Sequence, residues 1–421
     1  MDINELLKGV DCACGKHHTC DIEAVYIEKG AIAHLTEICH SYQTTLIVAD
    51  ENTFAAAGEQ TLQALIGKAV EKIIFPGDRV LVPDEDAIFA VTGKLGNADL
   101  IVGIGSGVIQ DLCKYVSFYN SVPYVIVATA PSMDGYASNG AAMITGGMKV
   151  TYSVGLPKAI LADTEVLKRA PMDMLQAGYG DIVGKFSALN DWKLSHAITG
   201  EYFCPYIYDL TFQQIEATLS LADGILRRDE KSVAALMEAL VVVGILMRFA
   251  GSSRPASGSE HHLSHFFEIT GILYGQDYFA HGVDVAYSTV VTAQLRQRLL
   301  EIPFSQPLCH PGEKHKQKLS EIYTGIAQSC MDLQEKAGHY STDRAAIYVE
   351  KEAEIKEILA QMPTAEGVIR MLARVGLDMG DFYSLYGKQK LQNAIFYAKD
   401  LKDRFTVLWL YYDFFGGESD V

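Results

Sequence analysis

The feature that most constrains the fold is an alternation of short apolar runs with amphipathic stretches between residues 45 and 165. The β-branched runs "TTLIVAD", "VEKIIFPG", "ADLIVGIGSG" and "VPYVIVATA" are each followed along the chain by a helical pattern or a loop. Strands that alternate with helices form βαβ units, whose strands lie parallel in one sheet. "KAILAD" is predicted to be the last strand, and "AAMITGGMKVTYSV", with two glycines between apolar runs, predicts a hairpin.

After residue 170 the apolar residues recur with helical period, and no further strand is predicted. The predicted helices are Gly180–Ala197, Leu210–Leu226, Lys231–Ala250, Gly282–Leu299, Lys316–Lys336, Ala345–Gln361 and Ala365–Val375. A chain of 421 residues exceeds the size at which a single hydrophobic core stops growing. We therefore predict an α/β domain with a parallel sheet over residues 1–168 and an all-helical domain over residues 169–421.

Charge and composition exclude some classes of partner. The formal net charge of -17 argues against nucleic acid or an anionic membrane as a partner. We find no export signal and expect no membrane span. The eight cysteines are mostly isolated in apolar surroundings, which is typical of reduced thiols in a cytoplasmic protein.

One cysteine-rich segment departs from this pattern. "CACGKHHTC" contains Cys12, Cys14, His17, His18 and Cys20, and thiolates and imidazoles this close together could bind zinc. However, the C-x-C spacing is tighter than that of a C-x-x-C knuckle, and no second ligand pair follows. We therefore predict a surface segment with incidental affinity for metal, not a structural zinc site.

A glycine-rich stretch indicates a nucleotide site. "GIGSGVIQD" (Gly103–Asp111) lies where a strand turns into a helix, so its backbone N–H groups could bind phosphate. It is not the G-x-G-x-x-G fingerprint, because Val108 occupies the third glycine position, and a tight turn without a ligand is the alternative. Asp50 ends the first predicted strand, where a carboxylate can bind ribose hydroxyls, and "TAPSMDGYASNG" (Thr129–Gly140) follows the fourth. Together these stretches favour a dinucleotide as the bound cofactor.

Histidines and a carboxylate further along the chain suggest a metal centre. On a helix His261 and His265 share one face, whereas His262 points about 100° away. His281 begins another predicted helix, and Asp181 stands at an N-cap-like position among glycines. Each residue alone could be a helix cap or a structural imidazole. As a set they favour a divalent metal bound with one coordination position open.

Several of these segments, in this order, resemble a known enzyme family. "GIGSGVIQD", "TAPSMDGYAS", "GYGDIVGK", "SRPASGSEHHLSH" and "HGVDVA" are similar to motifs of the sn-glycerol-1-phosphate dehydrogenases, relatives of glycerol dehydrogenase, iron-containing alcohol dehydrogenase and dehydroquinate synthase. The match runs from about Thr44 to the C-terminal "LKDRFTVL". The resemblance implies a dehydroquinate synthase-like fold, with a Rossmann-like domain before an all-α domain, and a homo-oligomer. It also implies interconversion of dihydroxyacetone phosphate and sn-glycerol 1-phosphate with NAD or NADP and one divalent metal, zinc, nickel or iron.

The resemblance also implies roles for individual residues. Asp181, His261 and His281 would hold the metal, and the catalytic residues would be His265, Asp134 and Asp181. The residues implied for cofactor binding are Asp50, Gly107, Val108, Ile109, Gln110, Asp111, Thr129, Ala130, Pro131, Ser132 and Ser138.

Three other functions remain open at this point. A glycerol dehydrogenase, or another polyol or alcohol dehydrogenase, would share the metal set but would need no phosphate site. A dehydroquinate synthase would need a dense lysine and arginine constellation, which we do not find. A non-catalytic protein that senses nucleotide or metal could keep the same fold. For a substrate phosphate, Arg254 and Lys185 are the candidate cations, with ordinary packing charges as the alternative.

Overall fold

The computed structural model describes residues 3–146 and 148–417. The strands are β1 Val10–Asp11, β2 His17–His18, β3 Ala24–Glu28, β4 Thr44–Asp50, β5 Ala69–Phe75, β6 Leu100–Gly105, β7 Tyr124–Ala128, β8 Gly140–Thr145, β9 Met148–Ser153 and β10 Ala159–Asp163. The helices before the last strand are α1 Ile3–Leu7, α2 Leu35–Ile38, α3 Glu51–Ala64, α4 Glu85–Leu95 and α5 Gly107–Asn120. Those that follow it are α6 Thr164–Leu167, α7 Met172–Thr199, α8 Pro205–Leu219, α9 Ala222–Leu226, α10 Glu230–Ala250, α11 Ser259–Tyr274, α12 His281–Leu300, α13 Glu313–Tyr323, α14 Ala327–Ala337, α15 Ala345–Glu350, α16 Glu352–Ala360, α17 Ala365–Ala373, α18 Met379–Tyr397 and α19 Val407–Phe415.

A six-stranded sheet organises the N-terminal half. Its order is β3-β10-β7-β6-β4-β5, and every neighbouring pair is parallel. Every residue of β6, β7 and β10, three of the four inner strands, is buried, which is typical of parallel strands covered by helices on both faces. The predicted parallel sheet is confirmed. The sequence reading missed β3, a half-buried edge strand of five residues.

The predicted hairpin is also confirmed. β8 and β9 pair antiparallel as a separate two-stranded sheet, with Gly140 opposite Ser153 and Thr145 opposite Met148. A second small hairpin, β1 with β2, lies in the cysteine-rich N-terminal segment that the sequence reading left without structure.

The part of the chain after β10 is helical, as predicted, but it is divided more finely. The predicted helix over residues 316–336 is two helices, α13 and α14, joined by a 3₁₀ turn, and α15 and α16 replace the one predicted over residues 345–361. The chain forms two compact units, Met1–Ile182 with Glu216–Ser252, and Val183–Ile215 with Ser253–Val421. The change from strands to helices falls close to residue 168, but the boundary predicted there stays a prediction.

Helix α10 is apolar over a longer stretch than our expectation of no membrane span implies. Its most apolar 18-residue window has a mean hydropathy of 2.1, which by length and composition alone would suffice to cross a membrane. Within the protein, however, 78% of that window is buried. Its apolar surface is therefore covered by the protein itself, as in the core helix of a globular domain.

Glycines let the loop after β7 approach two helices closely. A Cβ at Gly178 of α7 would lie 1.8 Å from the Pro131 carbonyl oxygen, and one at Gly244 of α10 would lie 2.7 Å from the Asp134 carbonyl oxygen. No side chain can occupy the first of these spaces. The two glycines therefore fix how the turn that carries Asp134 lies against the helices.

We expect Gly178→Ala to destabilise the protein by about 1–3 kcal/mol, the usual cost of forcing an extra methyl group into a packed contact. The matched control is Gly93→Ala in helix α4, where an added Cβ meets nothing within 4 Å. This control should raise stability by roughly 0.5–1 kcal/mol, because alanine favours a helix over glycine. Chemical denaturation of both variants measures the effect, and equal stabilities would contradict the close approach.

Candidate active site

Three predicted metal ligands come together in the structure. One ligand atom each from Asp181, His261 and His281 lies within 4.8 Å of the other two. Asp181 and His261 are buried and His281 is half-buried. A carboxylate with two imidazoles is a donor set that suits zinc, nickel or iron, so the residues fit a divalent ion.

Asp181 is held by its own helix and by a neighbouring turn. It lies inside α7, which begins at Met172, so the N-cap-like position suggested by the surrounding glycines is wrong. The carboxylate is fully buried, and its Oδ2 accepts a hydrogen bond of 2.9 Å from the Asp134 backbone N–H. This bond orients one oxygen of Asp181 and brings the 3₁₀ turn Asp134–Ala137 to the predicted ligand.

A buried glutamate orients His261 in the first turn of α11. The His261 Nδ1 lies 2.7 Å from Glu260 Oε1, which also accepts the Gly258 N–H at 2.8 Å. Because a carboxylate only accepts, the Nδ1 carries the proton and Nε2 keeps its lone pair for a metal. Burial raises the pKa of Glu260, while the Gly258 N–H and the charge of Lys185 favour its carboxylate form. Sequence reasoning missed Glu260, although a carboxylate beside the ligand histidine was visible in "SEHH".

His265 and His281 complete a group of three imidazoles. The ring centres of His261 and His281 are 5.1 Å apart, and that of the half-buried His265 lies 6.1 Å and 5.6 Å from them. The His281 Nδ1 lies 3.4 Å from Ser264 Oγ. The structure thus places His265 beside the predicted metal ligands without adding it to the ligand group.

His262 belongs to the interior of the protein. It is fully buried, and within the described residues neither ring nitrogen has a hydrogen-bond partner. Burial lowers its pKa well below 6.5, and the charges of Lys402, Arg404 and Arg254 lower it further. His262 is therefore a neutral imidazole, and it lies outside the ligand group, as its helical position predicts.

The predicted phosphate turn has room for an anion at the start of α5. The N-cap Ser106 makes no side-chain capping bond in the described structure, so the first N–H groups of the helix are not taken by it. A Cβ added at Gly107 would meet only Met133 Cγ, at 3.8 Å. Gly107 and Val108 are half-buried. A helix N-terminus with this clearance fits a pyrophosphate, which backbone N–H groups and the helix dipole both favour.

Other residues of the same turn are committed to packing. Ile109 is buried, and the Gln110 amide donates a 3.0 Å hydrogen bond to the Tyr136 carbonyl. Asp111 Oδ2 accepts from the Ala142 N–H at 3.0 Å. The Gln110 N–H is used as well, because it donates to the Ser106 carbonyl at 2.8 Å, so a role of Gln110 and Asp111 in cofactor binding stays a prediction.

The loop after β7 is held against the sheet by its own hydrogen bonds. The Thr129 N–H donates to the Gly105 carbonyl at 3.1 Å, and the Tyr136 hydroxyl donates to the Ala130 carbonyl at 2.7 Å. These bonds fix the loop at the carboxyl ends of β6 and β7, where open parallel sheets bind ligands. The predicted residues on it are buried except for the half-buried Ser132: Thr129, Ala130, Pro131, Ser132 and Ser138.

Asp50, at the end of β4, caps the helix that follows it. It is the N-cap of α3, where its Oδ1 accepts the Thr53 N–H at 2.8 Å while Thr53 Oγ1 accepts the Asp50 N–H at 3.0 Å. One carboxylate oxygen is thus used within this capping box. The half-buried position at a strand end still matches that expected for a ribose-binding carboxylate.

The two candidate phosphate-binding cations are buried. Arg254 is 3% exposed, forms an ion pair with Glu201 and donates to the Phe405 carbonyl at 2.9 Å. These contacts agree with the packing alternative, and a role of Arg254 in binding phosphate stays a prediction. Lys185 is fully buried, with its charge acting on Glu260. A cation that the sequence reading did not select, Arg404, is half-buried and donates to Ser253 Oγ and to the Ser257 carbonyl, in the loop before α11.

Comparison with known proteins agrees with this architecture. The profile of the family described as iron-containing alcohol dehydrogenase matches residues 26–171. A probable glycerol dehydrogenase from Sinorhizobium meliloti 1021 has a structure similar over 93% of this chain and 95% of its own, with a TM-score of 0.62 and 16% identity. At this identity the likeness concerns the fold alone. The profile and the fold together make this chain similar to the iron-containing alcohol dehydrogenases.

Relatives with higher sequence identity show the family more narrowly. The glycerol-1-phosphate dehydrogenase (NAD(P)+) of Halalkalibacterium halodurans is 34% identical over 346 residues, which cover 78% of this chain and 87% of the relative. That of Geobacillus thermodenitrificans is 32% identical over 372 residues, covering 86% of each chain. The chain belongs to the glycerol-1-phosphate dehydrogenase family.

We expect Glu260→Gln to lower the affinity for divalent metal by roughly 10- to 100-fold, since the partners that orient ligand histidines typically contribute this much. The amide oxygen can still accept a hydrogen bond from His261 Nδ1 but no longer carries the charge. Metal competition titrations measure the change. The control is Glu366→Gln, which removes an exposed carboxylate. Equal affinities for the two variants would show that Glu260 does not orient the ligand.

Proposed function

We propose that this protein is an oxidoreductase that interconverts dihydroxyacetone phosphate and sn-glycerol 1-phosphate with NAD(H) or NADP(H). The observation that carries the proposal is the close group of Asp181, His261 and His281 in a chain of this family. A complete ligand set argues for turnover and against a protein that only senses nucleotide.

The ligand residues would hold one divalent metal. When bound, such an ion supplies Lewis-acid polarisation of the substrate oxygen at the carbon that is reduced or oxidised. His265, which lies beside two of the ligands, is half-buried and able to exchange protons with water, so we assign it the proton transfer to or from that oxygen. Asp134 would orient the substrate, because its backbone N–H already bonds to Asp181.

The nucleotide would lie along the carboxyl edge of the sheet. Bound NAD(P) supplies or accepts the hydride. The N–H groups at the start of α5 would bind its pyrophosphate, and the loop over residues 129–138 would border the nicotinamide end. The second oxygen of Asp50 would bind a ribose hydroxyl, so we propose NAD(H) as the better cofactor, because a carboxylate there disfavours the 2′-phosphate of NADP.

The substrate phosphate needs a local cation in a protein with a net charge of -17. Arg404 supplies one beside the loop that leads into α11, and the charges of Arg404 and Lys402 both act on His262. Arg404 donates to neutral acceptors, a hydroxyl and a carbonyl. We therefore assign the phosphate to Arg404, with Lys402 as its neighbour.

Cellular location and assembly also belong to the proposal. We propose a cytoplasmic enzyme, which is supported by the burial of α10 and by eight cysteines that form no disulfide, all of them within the described residues. We further propose a homo-oligomer, a state that sedimentation equilibrium of the purified protein would test.

The function is tested by following NADH oxidation with dihydroxyacetone phosphate after chelation and after adding back zinc, nickel or iron(II) singly. We expect activity only with added metal, and faster turnover with NADH than with NADPH. His261→Ala should lose metal and should lower kcat/KM by roughly 100-fold or more, since metal polarisation contributes several kcal/mol. The product should resist an enzyme specific for sn-glycerol 3-phosphate.

The comparison of substrates decides between this function and its neighbours. Faster oxidation of glycerol than of sn-glycerol 1-phosphate would identify a glycerol dehydrogenase instead. Wild-type turnover by metal-free His261→Ala would refute the metal site itself.

For the phosphate, we expect Arg404→Ala to lower kcat/KM for dihydroxyacetone phosphate by roughly 10- to 100-fold. A hydrogen bond to a charged group is worth about 1.5–3 kcal/mol, and 1.4 kcal/mol is about tenfold. Turnover of unphosphorylated dihydroxyacetone should change little, and Arg404→Lys should recover part of the loss. The control is Arg370→Ala, an exposed arginine of α17. Equal losses for both substrates would assign Arg404 to structure.

A further inference from the structure

The N-terminal hairpin presents a second group of metal-binding side chains, separate from the active site. In β2 the two histidines face opposite ways, as strand geometry requires. His17 is exposed and lies 2.7 Å from Asp11 Oδ1, whereas His18 is 1% exposed. Only His18 is therefore placed as an interior ligand.

The turn between β1 and β2 brings two sulfurs together. Gly15 adopts a φ of 84°, and its N–H donates to the Cys12 carbonyl at 3.0 Å, while the Cys12 N–H donates to the Lys16 carbonyl at 3.1 Å. The Cys14 N–H lies 3.5 Å from Cys12 Sγ. The turn thus holds Cys12 and Cys14 close enough for both sulfurs to belong to one group of possible metal ligands.

His18 is oriented as a ligand histidine would be. Its Nδ1 lies 3.0 Å from the Phe249 carbonyl oxygen, and its ring stacks on the Phe249 ring with the centres 5.3 Å apart. The carbonyl only accepts, so Nδ1 carries the proton and Nε2 keeps a lone pair. Nε2 lies 3.5 Å from Cys14 Sγ. A tetrahedral zinc, with bonds of about 2.3 Å to sulfur and 2.0–2.1 Å to nitrogen, would separate these two atoms by about 3.6 Å.

The fourth member comes from a distant part of the sequence. Cys204 is fully buried directly before α8, and its carbonyl accepts the Tyr208 N–H at 3.0 Å, so it stands at the N-cap of that helix. A helix N-terminus stabilises a negatively charged sulfur. One ligand atom from each of Cys12, Cys14, His18 and Cys204 lies within 4.8 Å of the other three.

We propose that Cys12, Cys14, His18 and Cys204 form a structural zinc site. Three thiolates and one imidazole fill a tetrahedron, so no coordination position remains for a substrate. This donor set also favours zinc over the harder divalent ions. The proposal replaces our expectation of incidental affinity, which rested on the absence of a second ligand pair nearby in the sequence.

The test measures bound zinc in full-length protein that carries His261→Ala, so that the active site loses a ligand and turnover plays no part. This variant should retain one equivalent of zinc by elemental analysis. Its X-ray absorption spectrum should fit three sulfurs at about 2.3 Å and one nitrogen at about 2.0–2.1 Å. Adding Cys12→Ser or Cys204→Ser should remove the zinc and lower the melting temperature.

Matched controls come from cysteines outside the group. Cys309→Ser, half-buried like Cys12, and Cys39→Ser, buried like Cys204, should each keep the equivalent of zinc. If Cys204→Ser fails to fold, Cys12→Ser in the surface hairpin carries the test alone.

Three results would overturn the proposal. The first is His261→Ala protein without zinc, and the second is zinc bound without sulfur in the absorption spectrum. The third is a disulfide among these cysteines in unreduced protein, seen by mass spectrometry as the loss of two hydrogens. Because none of these readouts measures dehydrogenase activity, failure here is distinguishable from failure of the proposed function.

Discussion

The predicted active site depends on which groups bind one buried carboxylate, that of Asp181. Asp181 has no access to water, so its oxygens need donors or a cation within the protein. The backbone N–H of Asp134 supplies one donor, and Gly178, one turn earlier on the same helix as Asp181, lets the Pro131 carbonyl of the same loop approach that helix. The packing of a glycine thus helps to set how the loop meets the predicted metal ligand. The loop predicted to border the nucleotide is thereby tied to Asp181.

The same reasoning shows how far the sequence could predict the fold and the site. The inner strands were predictable because a parallel strand buried on both faces is a continuous run of β-branched residues, as in β7. Helical spacing predicted that His262 lies off the face that His261 and His265 share, and His262 does lie outside the group of candidate ligands. The N-cap position of Asp181 was wrong, because glycines that serve close packing inside a long helix look in the sequence like glycines at a helix start.

Interactions between residues far apart in the sequence were not predictable in this way. Arg254 was a candidate phosphate ligand because it flanks the stretch with the predicted metal ligands, and nothing in the sequence indicated its ion pair with Glu201. In the sequence, the cysteine-rich hairpin seemed to lack a fourth metal ligand. The residue that completes the group, Cys204, comes much later in the chain, after the last strand of the parallel sheet. Local spacing reports which side chains share a face, but only the folded chain shows which distant residue faces them.

The two candidate metal groups differ in the number and kind of donor atoms. The group of Asp181, His261 and His281 offers three donors, one oxygen and two nitrogens, so a metal bound there would keep a coordination position open for a substrate. The cysteine group offers four donors, three of them sulfur, and would leave none open. Soft thiolates hold zinc tightly, whereas the mixed oxygen and nitrogen set accepts several metals, so that the metal found there depends on which is available. Zinc content alone therefore cannot report the catalytic metal of this protein, because a full equivalent of zinc could reside in the hairpin while a different ion supports turnover.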